Sequence, residues 1–119
     1  MAHNPSCIFC QIAAKEIPTE ILWENETLIA FRDINPVADT HILIVPKVHY
    51  QDIRELAKDP KTCANVLNQV AQAAKQIAEK FHLAGFRLVN NCGESGGQTI
   101  PHLHFHLLAS KDALRPDQY

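Results

Sequence analysis

Three histidines near the C-terminal end, His102, His104 and His106, alternate with Leu103 and Phe105. Successive side chains of a β-strand point to opposite faces, so in a strand the three imidazoles would share one face. Imidazole titrates near neutral pH, and its neutral form also binds transition metals. The pattern therefore indicates either a nucleophilic or acid–base centre, or a metal site with several histidine ligands. A solvent-exposed polar face is the third interpretation, although Lys, Thr or Glu would serve there equally well.

A glycine-rich segment, residues 93–99 with the sequence GESGGQT, directly precedes these histidines. Glycines allow backbone N–H groups to turn toward an anion, and Gln98 and Thr99 add side-chain donors. A tight turn between two strands is the alternative interpretation. Beside a histidine nucleophile, such a segment favours phosphoryl or nucleotidyl transfer.

Cys7 and Cys10 have the C-x-x-C spacing that is found at redox sites and at metal sites. No predicted strand precedes Cys7, which disfavours a thioredoxin-like motif. Zinc takes four ligands and the chain has no second C-x-x-C, so two histidines would have to complete a metal site. We select His49 and His102, which gives a structural Cys₂His₂ zinc site. In the alternative interpretation the two cysteines are small buried apolar residues and His49 lies on the surface.

The elements that must position these residues follow from hydrophobic periodicity and turn residues. Helices are predicted over residues 7–15, 52–57 and 62–81, the last with apolar side chains at helical spacing. Strands are predicted over residues 21–23, 28–31, 41–45, 86–89 and 100–108. Strands grouped around one long helix indicate an α+β domain with a mainly antiparallel sheet. Residues 110–119 form a polar C-terminal tail that we expect to be mobile.

Length and composition exclude several classes of protein. The 119 residues, of which 46% are hydrophobic, suffice for one domain with one core. Eleven basic and thirteen acidic residues give a net charge of −2, which lacks the basic excess of a duplex-DNA-binding protein. No apolar run could span a membrane, and the N-terminal residues do not resemble a secretory signal. We therefore expect a cytoplasmic protein with reduced cysteines and neither a membrane nor a nucleic-acid partner.

Three segments resemble the histidine-triad (HIT) superfamily, and most closely its nucleotide-binding HINT branch. Residues 93–108, GESGGQTIPHLHFHLL, resemble the signature His-φ-His-φ-His-φ-φ, in which φ is apolar. The other two family blocks are matched by residues 33–49, DINPVADTHILIVPKVH, and residues 7–18, CIFCQIAAKEIP. The resemblance implies a single HIT domain over residues 1–119, an α+β fold with a five-stranded antiparallel sheet, and one long and one or more short helices. It also implies a homodimer with a continuous sheet.

The same resemblance implies a hydrolase of purine nucleoside 5′-phosphoramidates, in which AMP or GMP is joined to an amine through a P–N bond. His104 would attack the α-phosphorus and form a nucleotidyl-histidine that water then cleaves. His106 would bind phosphate beside it, and His41 would support the nucleophile through its carbonyl or its side chain. The family's nucleotide-binding positions correspond to Asp33 for the ribose, to Asn91, Gln98 and Thr99 for phosphate, and to Phe9, Ile12, Phe31 and Ile34 for the base. Some members of the superfamily carry zinc at positions matching Cys7, Cys10, His49 and His102.

Several alternatives remain open on the sequence. The chain could be a dinucleoside polyphosphate hydrolase, as in the fragile-histidine-triad branch, or a nucleotide-binding regulatory protein with incidental catalysis. A tri-histidine metalloenzyme is a third alternative. At the level of residues, Asp33 could simply close a turn, Asn91 could be a turn residue, and the apolar positions assigned to the base could be ordinary core.

Overall fold

A single antiparallel sheet of five strands is the centre of the structure, a computed structural model that describes residues 3–119. The strands are β1 (Trp23–Glu24), β2 (Leu28–Arg32), β3 (Thr40–Pro46), β4 (Arg87–Val89) and β5 (Phe105–Ala109), in the spatial order β1-β2-β3-β5-β4. The helices are α1 (Ile8–Ala13), α2 (Ile53–Leu56) and α3 (Pro60–Lys80), with a 3₁₀ turn at Glu94–Gly96. The predicted α+β fold with a five-stranded antiparallel sheet is therefore confirmed.

The long helix α3 covers one face of the sheet. Asp59 precedes the helix and Pro60 occupies its first turn, as expected for a proline that needs no intrahelical donor there. The helix and the sheet share an apolar core, which includes Val66, Val70, Ala73, Ala74 and Ile77 from α3 and Leu28, Ala30, Ile42, Ile44, Phe105 and Leu107 from the strands. This face of the sheet therefore contributes to the stability of the fold through apolar packing.

The opposite face of the sheet carries the short helix α1. A second apolar cluster forms there between α1 and the alternate residues of β2 and β3, and includes Phe9, Cys10, Ile12, Ile29, Phe31, Leu43 and Val45. The pairing of β3 with β5 places Leu43 opposite His106 and His41 opposite Leu108. Side chains two positions apart along neighbouring strands are diagonal neighbours on one face, so His41 and His106 can meet.

The last strand begins later than predicted: β5 starts at Phe105, whereas the prediction started it at Ile100. The Leu103 N–H donates to the Tyr50 carbonyl at 2.7 Å, and the His104 carbonyl accepts from the Asn90 side chain at 2.9 Å. The Leu103 N–H and the His104 carbonyl therefore take no part in the hydrogen bonds of the sheet. They bond to a loop carbonyl and to a side chain instead. The side chains still alternate, since Leu103 and Phe105 both lie in the α3 core.

The C-terminal tail, expected to be mobile, packs against the domain. Gln118 is buried, and its Nε2 donates to the Val37 carbonyl at 2.7 Å while its Oε1 accepts from the Arg115 N–H at 2.6 Å. The Arg87 guanidinium donates to the carbonyls of Arg115 and Gln118. Among the helices within residues 3–119, none is long and apolar enough to cross a bilayer.

Candidate functional site

All three alternating histidines are buried, together with His41. The exposed fractions are 0% for His102, 6% for His104, 4% for His106 and 2% for His41. A solvent-exposed polar face is therefore the wrong interpretation of the pattern. Burying an imidazole costs free energy unless its nitrogens find partners, so the partners reveal what each ring can do.

His104 is held with one nitrogen bonded and the other bearing a lone pair. Its Nδ1 lies 2.7 Å from the His102 carbonyl, and a carbonyl can only accept, so Nδ1 carries the proton. Burial lowers the pKa of His104, which keeps the ring neutral at pH 7. A neutral imidazole with an unprotonated Nε2 is the form that acts as a nucleophile.

His41 and His106 form a second chain of hydrogen bonds. The Val37 N–H donates to Nδ1 of His41 at 3.1 Å, so neutral His41 carries its proton on Nε2. That Nε2 lies 2.9 Å from Nδ1 of His106, which must then carry its own proton on Nε2. Burial and the neighbouring His104 and His41 lower the pKa of His106 to about 4.

The geometry distinguishes the two supporting roles considered for His41. Its carbonyl accepts from the Asp33 N–H at 3.0 Å, whereas its side chain contacts His106. Burial lowers the pKa of His41, and the carboxylate of Asp33 opposes that effect. Any support that His41 gives to the nucleophile therefore passes through its side chain and His106.

Asp33 has two partners, one for each carboxylate oxygen. Oδ1 accepts from the Asn35 N–H at 2.7 Å, which closes a local turn. Oδ2 lies 3.4 Å from Nε2 of His41. The turn-closing role considered for Asp33 is thus present, and its second oxygen faces the histidines.

The glycine-rich segment folds into a braced loop. Gly93 and Gly97 have φ of +77° and +95°, values that glycine adopts without the cost of a Cβ. Oε1 of Gln98 accepts from the Gly93 N–H, and its Nε2 donates to the carbonyls of Gln51 and Ile100. The side-chain donor of Gln98 therefore ties the loop to the segments at Gln51 and Ile100, and a role in phosphate binding would require these bonds to open.

The other residues predicted to bind the nucleotide differ in burial and in how close they lie to the histidines. Asn91 is half-buried beside Gly97, and Thr99 is exposed. Phe9 packs edge-on against Phe31 and against the His104 ring, with centroids 5.7 and 5.2 Å apart. Ile12 lies in the same cluster as these aromatic residues. Ile34 stands apart from that cluster and is 90% exposed.

Two residues beside the histidines were missed by sequence reasoning. Nδ2 of Asn90 donates to the His104 carbonyl at 2.9 Å. The Tyr119 ring stacks on His106, with centroids 4.3 Å apart and planes inclined by 23°, and also contacts His41 edge-on. The only available signals were an asparagine directly after the predicted fourth strand and an aromatic residue at the end of a polar tail.

The ligand atoms of Cys7, Cys10, His49 and His102 all lie within 4.8 Å of one another. Sγ of Cys7 is 3.2 Å from Nδ1 of His102, Sγ of Cys10 is 3.3 Å from Nδ1 of His49, and the two Nδ1 atoms are 3.1 Å apart. Zinc bonds of about 2.0–2.3 Å in a tetrahedron require ligand atoms roughly 3.3–3.8 Å apart. Nε2 of His102 bonds to the Pro46 carbonyl at 2.8 Å, which leaves Nδ1 with a lone pair. The donor set fits a zinc ion.

A second group, Asp33, His41 and His106, also has its oxygen and nitrogen atoms close together. Here the chemistry opposes a metal. Nε2 of His41 contacts both Nδ1 of His106 and Oδ2 of Asp33. Because the Val37 N–H donates to Nδ1 of His41, the proton of that ring is on Nε2. A protonated nitrogen has no lone pair for a metal ion.

Comparisons with known proteins match the chain to one family. Residues 14–113 match the family model of the HIT domain. The chain is 44% identical over 105 residues to the 14 kDa zinc-binding protein of Zea mays, covering 87% of this chain and 81% of that protein. It is 38% identical over 115 residues to Adenylylsulfatase HINT1 of Arabidopsis thaliana, covering 93% and 78%. A solved structure, the HIT family hydrolase from Clostridium thermocellum, is 40% identical with a TM-score of 0.86, covering 96% and 98%.

Proposed function

The chain belongs to the HIT family, and we propose that it is a nucleotide-binding hydrolase that cleaves purine nucleoside 5′-phosphoramidates. The observation that carries the proposal is the state of His104, which is buried and neutral, with Nδ1–H held by the His102 carbonyl. That arrangement leaves Nε2 ready to attack phosphorus. The relative from Clostridium thermocellum is described as a hydrolase, which supports the reaction class.

In the proposed reaction, Nε2 of His104 bonds to the α-phosphorus and the P–N bond breaks. The Nε2–H of His106 would donate a hydrogen bond to a phosphate oxygen, and the amine would take a proton from solvent water as it leaves. A second water then attacks the phosphorus of the nucleotidyl-histidine, its proton neutralises the hydroxide left by the first water, and AMP or GMP is released with His104 restored. Two displacements replace one difficult displacement. Asp33, Asn91, Gln98 and Thr99, with Phe9, Ile12, Phe31 and Ile34, remain the candidates for nucleotide binding.

Zinc is the proposed structural cofactor, held by Cys7, Cys10, His49 and His102. The name of the relative from Zea mays supports this assignment. The ligands come from the N-cap and the first turn of α1, from the segment after β3 and from the segment before β5. When bound, zinc would cross-link these three segments on the sheet face that carries the histidines. In this assignment the three histidines divide their roles, and His102 takes no part in the chemical steps.

A second copy of the chain is the proposed partner. Among residues 3–119, strand β4 pairs only with β5, so it forms an edge of the sheet. Phe86 and Leu88 at this edge are 43% and 41% exposed. Pairing of two β4 edges would make the sheet continuous across a homodimer and would cover both side chains. We further propose that residues 1–119 act as one HIT domain.

The name of the relative from Arabidopsis thaliana directs attention to a neighbouring substrate, an adenylyl group joined to sulfate. Cleavage of a phosphoramidate, of an adenylyl sulfate or of a dinucleoside polyphosphate would in each case transfer a nucleotidyl group to His104. The three reactions differ only in the leaving group. Turnover of adenosine 5′-phosphoramidate, adenosine 5′-phosphosulfate and diadenosine tetraphosphate should be measured side by side. We expect the highest kcat/KM for the phosphoramidate, and faster cleavage of the tetraphosphate would favour the polyphosphate hydrolase instead.

The control for that experiment is His104→Ala. We expect it to retain nucleotide binding, measured by calorimetry with AMP, and to lose turnover by at least about a thousandfold, since the covalent step is removed. Equal rates for the wild type and the variant would overturn the nucleophile assignment. Binding of AMP without turnover of any of the three substrates by the wild type would favour the regulatory alternative.

A further inference from the structure

We propose that His102 is a positioning residue through which the Cys/His metal centre controls the state of the nucleophile. The inference rests on the proposed roles of the zinc site and of His104. It goes beyond a structural role for zinc, because it makes the geometry of the active site depend on whether the metal is bound.

The first connection runs through the backbone of His102. Its side chain reaches the metal centre through Nδ1, which lies 3.2 Å from Sγ of Cys7 and 3.1 Å from Nδ1 of His49. Its carbonyl accepts from Nδ1 of His104 at 2.7 Å. One residue therefore contacts the metal ligands with its side chain and sets the tautomer of His104 with its main chain.

His102 can transmit a constraint because the rest of the residue is fixed. Nε2 bonds to the Pro46 carbonyl at 2.8 Å, and the His102 N–H donates to the Ile100 carbonyl at 2.8 Å. The residue precedes β5, so the sheet ladder does not hold its carbonyl in place. A metal bond at Nδ1 would fix the ring at a second point, whereas without it the ring would be held only by the Pro46 carbonyl and the carbonyl that orients His104 would be less constrained.

The second connection runs through Phe9. This residue lies on α1, a helix of only six residues, between the N-cap ligand Cys7 and the helical ligand Cys10. Its ring packs edge-on against His102 and His104, with centroids 5.7 and 5.2 Å apart. A helix this short has little stability of its own, so the cysteine ligands would help to keep Phe9 against the nucleophile.

The metal centre is also accessible in the folded protein. A cavity of about 520 Å³ adjoins it, lined by Asn4, Ser6, Cys7, Ile8, His49 and Gln51 among others. Cys10 and His102 form the buried side of the centre, while His49 is half-buried on the cavity side. We therefore expect a chelator to reach the metal centre in the folded chain.

The test compares the zinc-loaded wild-type protein with the same protein after chelation and after zinc is restored. The ¹⁵N chemical shifts of the His104 imidazole report its tautomer independently of any substrate. We expect a single Nδ1–H tautomer with zinc and a mixture of tautomers without it. For phosphoramidate turnover, we expect kcat to fall at least about tenfold with KM changed less than about twofold, and to recover with zinc.

Two variants of one ligand sharpen the test. His49→Ala removes a ligand that is distant in sequence from His104 and should behave as the chelated wild type. His49→Cys retains a zinc-binding set of three cysteines and one histidine and should restore both zinc content and the tautomer. Cys63→Ser, outside the centre, is the control that should match the wild type.

The tautomer measurement also separates this proposal from the proposed activity. An unchanged His104 spectrum on zinc removal would overturn the coupling, even if the melting temperature fell. Failure of the wild-type protein to bind zinc would overturn it as well. Zinc-dependent His104 shifts without turnover of any substrate would support the coupling and contradict the phosphoramidase. If His49→Ala does not fold, the chelated wild type decides the outcome.

Discussion

At the scale of the residue, backbone groups decide which nitrogen carries the proton in three of the buried imidazoles. The Val37 N–H fixes His41, the Pro46 carbonyl fixes His102, and the His102 carbonyl fixes His104. The sequence indicated that His102, His104 and His106 point to one face, because they alternate with apolar residues. It could not indicate the tautomers, because two of these three partners become neighbours only through folding or through a turn.

The buried His106 should make the stability of the fold depend on pH. Its pKa lies at about 4 in the folded protein, against about 6.5 in an unfolded chain. Between these values the unfolded state binds more protons, so the free energy of unfolding should be retained above pH 6.5 and should decrease as the pH falls toward 4. The contribution of this one group is on the order of 3 kcal/mol.

Urea unfolding of chelated wild-type protein and of His106→Asn, each at pH 7, 5.5 and 4.5, would measure this contribution. The comparison cancels much of the effect of the other histidines. We expect a smaller loss of stability on acidification in the variant than in the wild type. Parallel pH profiles for the two proteins would contradict the assignment.

At the scale of the element, hydrophobic periodicity predicted most of the fold. Helix α3 was predicted over residues 62–81 and found at Pro60–Lys80, because its buried side chains recur at helical spacing. The predicted start of β5 was wrong, because Leu103 and His104 form hydrogen bonds with Tyr50 and Asn90 and not with a neighbouring strand. The order of the C-terminal tail was missed for a related reason, since it depends on a long-range bond from Gln118 to Val37.

The packing of α3 against the sheet can be tested with two truncations on the same helix. Ile77 is completely buried, whereas Leu67 is 38% exposed. Ile77→Ala should lower the free energy of unfolding by about 2–5 kcal/mol, because it removes buried methylene groups and leaves a cavity. Leu67→Ala should lower it by less than about 1 kcal/mol. Denaturant unfolding at pH 7 measures both values, and similar losses in the two variants would contradict the packing described for α3.

At the scale of the whole molecule, the two faces of the sheet have different tasks. The face under α3 holds the larger apolar core, while the face under α1 holds the histidines, the cysteine ligands and Phe9. Both faces are occupied by the chain itself, so a second copy would have to associate elsewhere. Strand β4 offers one of the two edges of the sheet, and it leads directly into Asn90, which bonds to the His104 carbonyl.

The proposed dimer makes a prediction that separates this edge from other exposed apolar residues. Leu88 on β4 and Leu67 on α3 are exposed to nearly the same extent, 41% and 38%. A lysine at an edge strand opposes edge-to-edge pairing, because two copies would bring like charges together and would have to desolvate them. Light scattering after size exclusion should show twice the chain mass of 13.3 kDa for the wild type and for Leu67→Lys. The mass of Leu88→Lys should fall toward that of a single chain, whereas a monomeric wild type, or equal dissociation of both variants, would remove β4 as the interface.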